Sequence, residues 1–323
     1  MPPDEATLAS RLLDGERSAL ADALNLLDDQ RHDAVARSGE LLSDLLAAGV
    51  LSRGHIIGIT GPPGVGKSTL SSALINSWRQ RSLKVGVLAV DPSSPVTGGA
   101  LLGDRLRMQV NADDRDVFIR SLSSRGEFGG LSAEVWPMSL AMLAANDIVL
   151  IETVGVGQRE VDIADSADTT CFVAQPGSGD SIQFLKAGIL EVPHVLVVNK
   201  SDMGETARRA HSELAGALAG EHADGDWEIP VLLASASRSE GIEELVDTFL
   251  AHRDRITDEL AERRRRHQAH WIEKRIIEDF GQRGLTTLGG RAALLERVTT
   301  SNTDPINQYR ELSAELSGAP VTH

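Results

Sequence analysis

The chain has 323 residues, 41% of them hydrophobic, enough to bury one substantial core and a smaller satellite. Lys and Arg number 32 against 47 Asp and Glu, and the net charge of -15 gives no general attraction for nucleic acid or an anionic membrane. The single cysteine, Cys171, excludes an internal disulfide framework and a cysteine-rich zinc site. Together with an acidic start and no apolar run of about 18 residues, it predicts a soluble cytoplasmic protein.

Residues 1–53 read as an N-terminal helical extension, because Leu8, Leu12, Leu13, Leu20, Leu24 and Leu27, then Val35, Leu41, Leu42, Leu45 and Leu46, mostly recur three or four apart. From 54 to 253 the pattern changes to short apolar runs: HIIGIT, KVGVLAV, DIVLI, TTCFVA, HVLVVN and IPVLLA. Each is followed by a turn and a helical stretch. Consecutive Ile and Val positions suit strands covered on both faces, so the fold expected is α/β, a doubly wound and mainly parallel sheet with its ligand at the carboxyl ends of the strands.

Residues 254–323 return to helical periodicity, with a glycine-containing break between Gly281 and Gly290. Trp271, Ile272, Ile276 and Phe280 form an apolar face that needs cover, from a helical hairpin or from a second subunit. The run Arg263 to Arg266 fits a phosphate patch or a solvated helix face balanced by Glu259, Glu262 and Glu273; the acidity of the chain favours the solvated face.

Gly61, Pro62, Pro63, Gly64, Val65, Gly66, Lys67 and Ser68, followed by Thr69, match G-x-x-x-x-G-K-[ST] between a predicted strand and a predicted helix. Glycines let backbone N–H groups curl around phosphates, the helix N-terminus adds positive potential, and Lys67 supplies a compact charge to the β and γ oxygens. Ser68 is the expected Mg²⁺ ligand. Further along, Asn199, Lys200 and Asp202 form N-K-x-D at a strand end. A carboxylate at Asp202 can accept from guanine N1–H and the 2-amino group, whereas adenine offers neither donor and would leave the acid unpaired. Ser235, Ala236 and Ser237, ending the next strand, suit a third guanine-contacting loop.

Between these motifs, DIVLIETVGVGQ places Glu152 at a strand end, where it would hold a Mg²⁺-bound water, with the Gly155 N–H placed for the γ-phosphate. Asp91 and Asp104 are two more carboxylates for the metal, and Gln158 is a candidate to position the attacking water. For Asp104 and Gln158 a helix cap or a solvated switch loop accounts for the residue types equally well.

GPPGVGKST, AVDPSSP, LLGDRLRM, FIRSLSSRGEFGG, IETVGVGQ, QPGSGDSIQFLKAGILE and VVNKSD occur in that order, and over roughly Leu41 to Phe280 the chain resembles the MeaB/ArgK family of SIMIBI-class GTPases. That resemblance implies GTP and Mg²⁺ as ligands. It implies a GTP-hydrolysing chaperone of an adenosylcobalamin-dependent acyl-CoA mutase, gating cofactor delivery from an adenosyltransferase, and a homodimer built through the helical extensions. It also implies that Asp180, Gln183 and Lys186 belong to a switch that contacts the mutase. Departures fall on the switches: Gly99-Ala100, Arg105-Leu106, Arg159, and Ser181-Ile182 after Asp180. They bear on which mutase is served. Two other classes fit the sequence less well. A nickel-delivering GTPase would need a metal-gathering tract, but the nine histidines are scattered in sequence. A small-molecule kinase would need an acceptor pocket and a base.

Overall fold

A computed structural model describes residues 6–91, 114–123, 134–153, 163–177 and 193–318, with the side chain of Asp91 excepted. The chain divides into two compact units. One contains 54–132 and 146–257; the other gathers 1–53, 133–145 and 258–323.

The first unit is built on a parallel sheet of seven strands: β1 (His55–Thr60), β2 (Val85–Asp91), β3 (Val117–Ser123), β4 (Ile148–Thr153), β5 (Thr169–Ala174), β6 (Val195–Val198) and, after the two-residue pairs β7 (His222–Ala223) and β8 (Trp227–Glu228), β9 (Val231–Leu233). Their order is β3-β2-β4-β1-β5-β6-β9, with β7 and β8 a separate antiparallel ribbon. β1 sits centrally with β4 and β5 at its sides. Every residue of β1, β4, β5 and β6 is buried, as runs without a polar alternation require.

All six apolar runs are strands. β3 was not among them, and its chemistry explains why: among the described residues it pairs only with β2, and Arg120 and Ser121 interrupt its apolar positions. A strand with one neighbour needs no continuous apolar run. On one face, α4 (Lys67–Gln80) and a helix over Ile242–Arg255 (α7 below) pack Leu70, Leu74, Trp78, Leu245 and Phe249 against the strands. The Trp78 and Phe249 rings lie 6.3 Å apart. Elsewhere in this unit Leu214 and Leu218 of the Glu205–Leu218 helix pack on Phe172, Leu196 and Val198. Cys171 is fully buried, which pushes its thiol pKa far up, as expected for a core thiol with no chemical role.

The second unit is helical. It contains α1 (Leu8–Leu13), α2 (Arg17–Asp28), α3 (His32–Ala47), α5 (Val135–Ala145), α8 (Leu260–Thr287), α9 (Gly290–Thr299) and α10 (Pro305–Ser317); α6 (Glu205–Leu218) and α7 (Ile242–Arg255) belong to the sheet unit. The two flanking extensions, separate in the sequence reading, therefore share one unit with a helix from the middle of the chain. The α8 backbone breaks at Gly281 (φ 65°), a left-handed value that a side chain would resist.

The structure chooses between the two covers expected for the α8 face, and it corrects the reading of the arginine run. Ile272 and Ile276 are fully buried against Leu294 and Val298 of α9 and Leu312 of α10, with Trp271 and Phe280 packed around them, so the chain itself covers that face. The arginine run is not a solvated face throughout. Arg264 is fully buried, with Nη1 donating to the carbonyls of Leu51 at 3.0 Å and Arg53 at 2.6 Å. Arg265 donates to the carbonyls of Thr299 and Ser301 and to Asn302, and Arg266 makes a surface pair with Glu262. Guanidinium groups satisfy carbonyls left open at helix ends and turns, a use that composition does not reveal.

Candidate nucleotide site

The phosphate loop leaves the carboxyl end of β1 and enters α4. Gly61 takes φ 142°, and a Cβ there would overlap the Val173 carbonyl oxygen of β5, so only glycine fits. Gly66 takes φ 93°, and a Cβ there would come within 2.6 Å of Asn199 Nδ2. Lys67 is buried, its ammonium folded back onto the loop and donating to the carbonyls of Gly61 at 2.7 Å and Pro62 at 3.0 Å. A charge so held is compensated by carbonyl dipoles that phosphate oxygens can replace.

Glu152 lies at the carboxyl end of β4, opposite Ile59 of β1 and Ala89 of β2, and is 4% exposed. Its Oε1 accepts from Ser68 Oγ at 2.6 Å and its Oε2 from Ser71 Oγ at 2.7 Å. The backbone of Asp91 ends the adjacent strand, one register step past the Val90 and Thr153 pair. The two acids thus stand at neighbouring strand ends, on the edge where the loop begins. Ser68 and Glu152 present oxygen atoms only, a chemistry that fits Mg²⁺ and its retained waters.

The guanine motif follows β6. Asn199 is buried and joins two loops: its Nδ2 donates to the Val65 carbonyl at 2.8 Å, and its Oδ1 accepts from the Ala236 N–H at 3.1 Å. Lys200, at φ 61°, donates from Nζ to the Gly64 carbonyl and to Gln175 Oε1, both at 2.6 Å. Asp202 Oδ1 accepts from Ser235 Oγ at 2.7 Å, and that hydrogen bond holds its carboxyl below the ordinary aspartate range. Ser237 Oγ stands 3.3 Å from Ser235 Oγ. The acid that would read guanine is therefore ionised, oriented by a hydroxyl, and still exposed.

A family model described as methylmalonyl-CoA mutase-associated GTPase MeaB matches residues 20–287. The chain belongs to the MeaB family. A protein of Pyrococcus abyssi named as a GTPase is 37% identical over 98% of each chain. The methylmalonic aciduria type A homolog of Mus musculus mitochondria is 33% identical, over 84% of this chain and 70% of the mouse protein. A crystal structure described as LAO/AO transport system kinase superposes with a TM-score of 0.65 at 27% identity, covering 98% of this chain and all of that one. Membership makes the MeaB-family chain a GTPase that binds guanine nucleotide. No helix among its described residues is long and apolar enough to cross a membrane.

Asp104, Gly155, Gln158, Asp180, Gln183 and Lys186 lie outside the described residues, as do Arg105, Leu106 and Arg159. Two partners of the motif side chains escaped the sequence reading, Ser71 on Glu152 and Gln175 on Lys200. Ser71 reads as one of many helix serines, whereas Gln175 directly follows β5, and that position just past a strand end was a usable signal.

Sequence reasoning also missed a polar chain in this MeaB-family protein at the amino ends of the strands. His194 Nε2 and His252 Nε2 lie 2.8 and 2.9 Å from Asp224 Oδ2, their rings 4.5 Å apart. Among the described residues these three alone are grouped closely enough to hold a metal ion. However, the Thr170 N–H donates to His194 Nδ1 at 2.9 Å, so that nitrogen is the unprotonated one and Nε2 bears the proton facing Asp224. A metal at Nε2 would need the opposite tautomer. The group is a hydrogen-bonded chain, continued through Thr169 Oγ1 from His252 Nδ1 to His55 Nε2.

Proposed function

We propose that this chain is a Mg²⁺-dependent, GTP-hydrolysing chaperone of an adenosylcobalamin-dependent acyl-CoA mutase, gating delivery of the cofactor and protecting the mutase. The observation that carries this reading is the match over residues 20–287 to a family described by its mutase association. The mouse relative, named for methylmalonic aciduria, supports it. The geometry adds a reason for guanine: Asp202 is ionised and aimed by Ser235, and an acid acceptor covered by adenine would exchange water for a base edge that offers it no donor.

Within this reading Lys67 binds the β and γ oxygens, Asn199 keeps the base and phosphate loops in register, and Lys200 lies along the purine. Ser68, Glu152, Asp91 and Asp104 would hold Mg²⁺ directly or through water, and the ion would neutralise charge developing on the phosphates. Gly155 and Gln158 would face the γ-phosphate and the attacking water. Asp180, Gln183 and Lys186 would carry the nucleotide state to the mutase, with an adenosyltransferase as a second partner. Residues 54–253 are proposed as the GTPase domain, flanked by extensions 1–53 and 254–323 through which a homodimer forms in the cytoplasm. Since the chain covers Ile272 and Ile276 itself, dimerisation rests on the family resemblance alone.

The test is GTP hydrolysis with purified methylmalonyl-, isobutyryl-, hydroxyisobutyryl- and ethylmalonyl-CoA mutases. Stimulation and a complex with one of them is the expected result. Neither with any of them would leave the GTPase standing and remove the chaperone role.

A further inference from the structure

The two hydroxyls on Glu152 differ in kind. Ser68 belongs to the phosphate loop; Ser71 does not, and its side chain is fully buried. The two stand three residues apart on α4, so they share a face and close on the carboxylate from one side, Ser68 on Oε1 at 2.6 Å and Ser71 on Oε2 at 2.7 Å. The next serine behaves differently: Ser72 Oγ donates to the Ser68 carbonyl at 2.9 Å, an ordinary bond back to its own helix.

We propose that Ser71 is a positioning residue that fixes the Glu152 carboxylate for Mg²⁺ coordination. A glutamate carboxylate swings on three side-chain torsions, and a single hydroxyl fixes one oxygen only. Two donors on different oxygens fix the plane of the group. Ser68 would be shared with the ion, and Ser71 would then still hold the Glu152 carboxylate in place.

This inference rests on the Mg²⁺-dependent part of the proposed function, and the experiment separates the two. Binding of Mn²⁺ to the GDP complex, read by electron paramagnetic resonance, is compared with the Mg²⁺ dependence of GTP hydrolysis in the full-length protein. Ser71→Ala is expected to weaken Mn²⁺ binding and raise the Mg²⁺ concentration for half-maximal hydrolysis about 3- to 10-fold, with GDP affinity in EDTA unchanged. Ser71→Thr, which keeps the hydroxyl, should restore the unmodified curve, and Ser72→Ala should leave it in place. In a Glu152→Gln background, Ser71→Ala should add nothing further. Superimposed metal curves for Ser71→Ala and the unmodified protein, or additive effects in the double variant, would overturn the proposal alone. Hydrolysis by the unmodified protein with no divalent ion would overturn both it and the Mg²⁺ reading.

Discussion

Asn199 fastens the guanine loop to the phosphate loop through the Val65 carbonyl, at 2.8 Å. The same amide accepts from Ala236, so one buried side chain spans three loops of the site. Replacing Asn199 by Ala would leave the Val65 carbonyl and the Ala236 N–H without that partner, each at about 1–3 kcal/mol. The expected outcome is GDP affinity lowered by at least tenfold together with a lower melting temperature, seen by calorimetry and thermal unfolding. A large affinity loss with unchanged melting would mean that Asn199 acts on the base and not on the loops.

Asp202 should read guanine by hydrogen bonding. Asp202→Asn is expected to cost about 2–4 kcal/mol in GDP affinity. Equal binding of ATP and GTP by the unmodified protein in calorimetry would contradict the assignment.

The Ser235 hydroxyl lowers the pKa of Asp202, which gives a pH signature. A depressed pKa keeps the acceptor charged as pH falls, so affinity for GDP should hold through the ordinary aspartate range and fade only below it. Without the hydroxyl the carboxyl protonates sooner. Ser235→Ala should therefore lose affinity at a higher pH than the unmodified protein, as fluorescent GDP titrations between about pH 6 and pH 3 would record. Coincident pH curves would remove Ser235 from this role.

Phosphate and metal binding should separate by mutation. Lys67→Ala is expected to weaken binding of GTP and GDP alike. Glu152→Ala and Asp91→Ala should retain GDP and lower turnover by about tenfold or more, through disturbance of the ion and its water. Full turnover in both acid variants, measured by phosphate release, would show that other carboxylates serve the metal.

Arg264 supports the helical unit and not the nucleotide site. Arg264→Met would leave the carbonyls of Leu51 and Arg53 without their donor, at about 2–4 kcal/mol in urea unfolding. GDP affinity should stay within about twofold. A variant as stable as the unmodified protein would mean that water replaces the guanidinium.

What the sequence made legible follows from how local each signal is. HIIGIT followed by GPPGVGKST is a strand, a loop and a helix written consecutively, so β1, Gly61 and Lys67 could be read without tertiary information. N-K-x-D was equally readable. The grip of Ser71 on Glu152, and the joining of His194, Asp224 and His252, depend on strands brought together by the sheet, and no spacing along the chain encodes them. Arg264 was misread for the same reason, because its carbonyl partners at Leu51 and Arg53 lie at the far end of the sequence.

The helical unit is discontinuous, and this sets an order of assembly. On the ribosome, α1 to α3 emerge first, with Leu12, Leu24, Leu42 and Leu45 destined for complete burial. Part of their cover is α10, which approaches so closely that a Cβ on Gly39 would come within 2.7 Å of Asn307 Nδ2. The sheet unit between them must be synthesised before that contact can form. Nascent chains of this protein therefore carry an unfinished apolar surface on α1 to α3 until α10 has been made, a period in which chaperone binding or aggregation competes with folding.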